Sequence, residues 1–115
     1  MATQSIALLT LTVAATGTIA TARFVTQAGA QAGADANTLG VARTAAVSGD
    51  KIAVDVLGTA IVTAGAAVAA GATLKSDGSG RAITWVTSGA KVAVALGAAA
   101  AADDLIEVLL IPNVA

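Results

Sequence analysis

The chain has 115 residues, seven acidic and six basic, for a net charge of −1; 57% of residues are apolar but only 2% aromatic. Cys, His and Tyr are absent, and Phe, Trp, Met and Pro occur once each. This inventory excludes Ser-His-Asp and Cys-His catalysis, disulfides and cysteine-based zinc sites, and the dispersed charge lacks the basic stripe of a nucleic-acid binder.

What remains is one compact domain filled largely by methyl groups. Such a core makes a marginal monomer, for which association between copies is the natural remedy. The chain is expected to divide into an extended arm with the first strand or strands over 1–23 and a single β domain over 24–115.

The first segment, Ala2–Ala22, is uncharged but has no positive leader and is broken by Thr10, Thr12, Thr16 and Thr18, unlike a signal peptide. Within it Leu9, Leu11 and Val13 alternate with Thr10 and Thr12, which predicts a strand. Thr18–Thr26 predicts another, with Ala20, Ala22 and Phe24 on one side and Ile19, Arg23 and Val25 on the other. Ala28–Asn37 is low in information and is expected to be an exposed loop.

Lys51–Leu57 gives the clearest period of two, with Ile52, Val54 and Val56 on one face. The apolar run Val56–Leu74 has the length of a membrane helix, yet Gly58, Gly65, Gly71 and separated β-branched clusters favour β structure. Ser76-Asp77-Gly78-Ser79-Gly80 joins Thr73–Lys75 to Ala82–Val86 as a hairpin. Val92, Val94 and Leu96 alternate with Ala93 and Ala95. Leu105–Ile111 is apolar on both faces except at Glu107, the pattern of a central or covered strand.

Short strands with frequent turns predict an all-β fold, a small β-sandwich or barrel of antiparallel strands. Alanine's helical preference allows one or two helical turns, at Ala64–Ala70 and Ala98–Asp104. A faint echo links Ala46–Ile52 with Ala67–Thr73, which repeated turn chemistry explains as well as duplication.

A search for chemistry is brief. Lys75 and Ser76 are neighbours on a strand and point to opposite faces. Asp103, Asp104 and Glu107 form a carboxylate cluster, read as a polar turn before the last strand with Glu107 outward. Gly78-Ser79-Gly80-Arg81 lacks the Lys-Ser/Thr end and following helix of a phosphate loop. Trp85 reads as packing, and Arg23, Arg43 and Arg81 as solvated or partner-facing side chains. No catalytic, cofactor or metal residue is expected.

Several segments together resemble a known family: Leu39-Gly40-Val41-Ala42, Ser48-Gly49-Asp50, Val54-Asp55-Val56-Leu57-Gly58-Thr59-Ala60, Ala70-Gly71-Ala72-Thr73-Leu74, Asp77-Gly78-Ser79-Gly80-Arg81-Ala82, Val94-Ala95-Leu96-Gly97-Ala98-Ala99 and Leu105–Leu110. They are similar to the capsid decoration (cement, head-stabilising) proteins of tailed bacteriophages, from about Phe24 to Ile111. The resemblance implies an all-β structural protein on the outer surface of the virion, made in the host cytoplasm. It would bind the major capsid protein across adjacent subunits, as a trimer or a dimer. It carries over no active-site residue.

On this basis the chain is expected to be a non-enzymatic homo-oligomer with no cofactor and no nucleic-acid or membrane partner. Leu9, Leu11, Ile106 and Leu110 are its expected apolar contacts, and Ala2–Thr12 its candidate arm along the shell or a neighbouring subunit. The alternative is a carbohydrate- or surface-binding β module of a spike or adhesin, for which Trp85 is the one large stacking side chain.

Overall fold

The computed structural model describes residues 6–111. Among them there is no helix, and eight antiparallel strands follow one another: β1 (Ala7–Ala14), β2 (Phe24–Val25), β3 (Gly40–Ala42), β4 (Lys51–Thr63), β5 (Thr73–Ser76), β6 (Ala82–Thr84), β7 (Ala93–Ala95) and β8 (Leu105–Leu110). They form one sheet in the order β2-β3-β4-β8-β7-β5-β6, with β1 added to β4. The expected all-β architecture is what forms, with the sheet curled into a nearly closed barrel.

The organising element is β4. The alternation expected at Lys51–Leu57 continues to Thr63, thirteen residues in all. Asp55 pairs with Thr10 of β1 on one edge and Val41 of β3 on the other. Thr59–Thr63 then pair with β8, which follows β1 along the same edge. From β8 the sheet runs through β7 and β5 to β6. It closes where Ala82 bridges Ala64 and the Gly65 N–H donates to the Ala82 carbonyl at 2.8 Å.

Two apolar clusters result. The barrel interior holds Phe24, Val41, Ala60, Val62, Leu74, Ile106, Val108 and Leu110 among a set of alanines. A smaller cluster beneath β1 and β3 holds Ile19, Val25, Ile52 and Val54. Adjacent residues Phe24 and Val25 thus serve different cores. Full burial of each large side chain is worth roughly 1.5–3 kcal/mol.

The β5–β6 hairpin forms where Asp-Gly chemistry placed it, though by a different device. The Asp77 carboxylate accepts the N–H groups of Ser79 and Arg81, both at 2.8 Å, and the left-handed residue is Gly80 at φ +74°. This is an Asx-type turn, in which a side-chain oxygen substitutes for a backbone acceptor.

Several local expectations are corrected. Neither alanine-rich stretch makes a helical turn: Val68 and Ala99 bridge each other with two 2.9 Å hydrogen bonds, so strand-like pairing overrides a weak intrinsic preference. Thr18–Thr26 is not one strand. Ala22 takes φ +58° and breaks the alternation, leaving a bridge between Ile19 and Ala46 and the short β2.

Ala28–Asn37 is a loop but not simply exposed. Ala32 is buried, Gln31 accepts the Ala20 N–H at 2.9 Å, and Asp35 pairs with Lys75 at 2.8 Å. On β7 the inward residues are Ala93 and Ala95, while Val94 is only half-buried. The interior of a small barrel takes small side chains where it tapers.

Candidate functional site

No three His, Cys, Asp or Glu side chains converge among the described residues. The expected carboxylate cluster comes apart: Asp103 pairs with Arg81 at 3.1 Å, Asp104 accepts the N–H groups of Ala100 and Ala101, and Glu107 lies on the barrel wall. Glu107 lies on the outward face, as expected, but the residue is only 6% exposed between its neighbours. Lys75 turns to Asp35 while Ser76 is fully buried with its hydroxyl on the Asp77 carbonyl at 3.0 Å, so they form no dyad. No helix among the described residues is long and apolar enough to cross a membrane.

What the described residues do present is bare apolar surface, most of it in two places, with Val47 and Val86 exposed elsewhere. The first is β1. Leu8 is 74% exposed, and Ile6, Leu9 and Leu11 are also open to solvent. One edge of β1 pairs with β4, and no strand among the described residues pairs with the other. Such an open edge, free of charge and proline, is a template for another chain. Leu9 and Leu11 are therefore accessible, as a contact role requires. Of the candidate arm, residues 2–5 lie outside the described region, and the remainder is β1 together with Ile6.

The second place is the outward face of β4 and β8. Strand pairing puts Leu105, Glu107 and Leu109 opposite Thr63, Ile61 and Thr59. Leu105 and Leu109 are exposed, as is Leu57 further along β4. Here the expected contacts need correction: Ile106 and Leu110 point into the barrel and are consumed by its core. Period two on a strand makes the choice of face all-or-none, and the sequence, apolar on both sides, does not reveal which face is inside.

Next to Leu105 lies a cleft of about 510 Å³, lined by Thr21, Val41, Arg43, Asp55 and Ile61 among others. Its polar end is ordered by Asp55, a residue only 2% exposed. Asp55 Oδ1 takes the Arg43 Nε–H at 2.8 Å and the Thr10 hydroxyl at 3.0 Å. Two charge-assisted bonds satisfy a carboxylate that would otherwise be costly to bury. Cross-strand register brings these groups together: Thr10 and Asp55 are direct partners, and Arg43 follows two residues after Val41 on β3.

The remaining candidates are structural. Arg23 donates to the Ser79 carbonyl at 3.0 Å, and Arg81 ties Asp77 to Asp103. Trp85 donates its Nε1–H to the Gly89 carbonyl at 2.9 Å, and Lys91 Nζ lies 4.4 Å from the ring centroid. One face of the indole is thereby occupied by a cation.

A family model described as phage cement protein matches residues 3–110. The chain belongs to the phage cement protein family. It is accordingly a structural, capsid-associated phage protein. Among solved structures, this cement protein is similar to the crystal structure of the head fiber gp8.5 N base in bacteriophage phi29. The TM-score is 0.73 with 17% sequence identity over 90% of this chain and 94% of the other, a likeness of fold. No curated protein sequence matches. The family explains why the search for a catalytic constellation meets apolar surface: a cement protein works through what it touches.

Proposed function

We propose that this cement protein decorates the outside of a tailed-phage head and holds neighbouring major capsid subunits together. It is made in the host bacterial cytoplasm and acts as a homo-oligomer, a trimer in preference to a dimer. The observation that carries the proposal is the bare apolar surface on β1, β4 and β8, in a chain whose family is a structural component of phages. Monomers seldom leave contiguous apolar patches of this kind uncovered.

Two surfaces suit two jobs. The open edge of β1 is uncharged, so copies brought together there meet no like-charge repulsion. The outward face of β8 and the adjoining cleft remain for the shell. A protein that binds only the assembled lattice stabilises it by mass action. Several linked copies multiply that effect, because each binding event after the first is intramolecular.

The test is to add the purified chain to bare, expanded heads of its phage. Saturable binding and increased resistance of the heads to heat are expected. Heads that bind none, or that burst at an unchanged temperature when fully decorated, would falsify the proposal.

A further inference from the structure

The chain has seven acidic residues, and six have a partner. Asp35 pairs with Lys75, Asp55 with Arg43, and Asp77 and Asp103 with Arg81. Asp50 accepts the Val47 N–H, and Asp104 accepts two N–H groups of its own loop. Glu107 is the exception. Among the described residues no hydrogen bond or ion pair reaches its carboxylate, although the residue is 94% buried (6% exposed).

Its position is as unusual as its isolation. Glu107 lies across from Ile61 and between Leu105 and Leu109 on the outward face of β8, and on the far side the Leu96 N–H donates to its carbonyl at 2.9 Å. Among the described residues no cation pairs with its charge. The charge looks outward between two exposed leucines, where a partner outside the protomer can supply a positive charge.

We propose that the outward face of β8 docks a segment of the capsid subunit that carries a lysine or arginine flanked by apolar side chains. The cation reaches Glu107 while its neighbours cover Leu105 and Leu109. This inference rests on the capsid-binding function proposed above and names the chemistry of the contact.

A second copy of the chain is a poor source for that cation. Of its six basic residues, Arg43, Lys75 and Arg81 are already paired with acids. Arg23 is on the Ser79 carbonyl and Lys91 is over the Trp85 ring. Only Lys51 stands apart from these contacts among the described residues. A partner with its own basic group fits better, and such charge complementarity contributes specificity and association rate.

The experiment titrates bare, expanded heads with wild-type protein, Glu107→Gln and the double variant Leu105→Ala/Leu109→Ala, and follows melting temperature and mass in parallel. Glu107→Gln keeps the shape and removes the charge. Its binding to heads is expected to weaken about ten-fold or more, with a flatter salt dependence, while its melting temperature stays equal to or above that of wild type. The double variant is expected to bind more weakly and to stay folded, since both leucines are exposed.

Wild-type affinity in Glu107→Gln overturns the ion pair. So does a lower melting temperature, which marks a structural carboxylate, or a changed oligomer mass, which makes a second copy the partner. Wild-type protein that ignores the heads removes the capsid-binding function and this inference with it. Wild-type protein that binds alongside an unaffected Glu107→Gln removes this inference alone.

Discussion

The carbonyl of Ile6 rests against Gly58, in the space that a β-carbon at position 58 would fill. Gly58 also has φ +97°, a backbone state that L side chains avoid. The approach lets the Thr59 N–H reach the Ile6 carbonyl at 2.9 Å and seats the start of β1 on β4. Gly58→Ala is therefore expected to cost about 2 kcal/mol or more, from the left-handed conformation and the displaced carbonyl together. Hydrogen exchange should show faster exchange in β1 than in β8; equal protection in both strands would contradict this account.

Asp55 holds two elements to the sheet at once, through Arg43 and Thr10. Asp55→Ala leaves an arginine and a hydroxyl without their acceptor and opens the end of the cleft. Because Arg43 is half-exposed and can turn to water, a loss of about 2 kcal/mol is expected, below that of a fully buried pair. Thr10→Val should cost less, about 1 kcal/mol. Urea denaturation of the two variants checks the ranking, and a larger loss for Thr10→Val would reverse the assignment.

Phe24 is fully buried and is the one phenylalanine of the chain. The rest of the barrel core is aliphatic, with Leu74, Ile106 and Leu110 among valines and alanines, and such a packed core relaxes only partly into the vacated space. Phe24→Ala is expected to lose about 3–5 kcal/mol, and Phe24→Leu distinctly less. If thermal denaturation found the alanine variant within 1 kcal/mol of wild type, the barrel interior would not be the main core.

The hydrogen bond from Lys75 holds the Asp35 carboxyl below its ordinary value of 3.8, helped by the lysine charge and by Ser88. The unfolded chain therefore takes up a proton first as pH falls. The stability from this pair is present above pH 3.8 and is lost as pH drops through the lower folded value. Asp35→Asn should flatten stability against pH in that acidic window, with no change in slope near neutrality. An unaltered acid limb in the variant, measured by urea midpoints from pH 2 to 7, would show that the pair contributes nothing.

Much of this fold is legible in the residues because local chemistry and the final pairing agree. Ile52, Val54 and Val56 alternate on a strand that does form, and Asp77 and Gly80 sit at a turn that does form. The alanine stretches are not legible. A methyl group fits helix, strand or bridge, so at Val68 and Ala99 only distant pairing decides. Nor is the orientation of β8: Ile106 and Leu105 have nearly the same hydrophobicity, and the barrel's curvature selects between them. The buried Glu107 was visible as the one charge in an apolar run, but its lack of a partner is a property of the folded surroundings.

β1 and β8 lie end to end along one edge of β4, with residues 51–58 of β4 splinting the first and 59–63 the second. If β1 is fastened to one neighbour and β8 to another, tension between those neighbours runs lengthwise through β4. Each row of backbone hydrogen bonds is then loaded in shear, all its members resisting together, whereas peeling would break them singly. The strand arrangement behaves as a lap joint, and stretching such a joint strains many weak bonds equally before any one gives way.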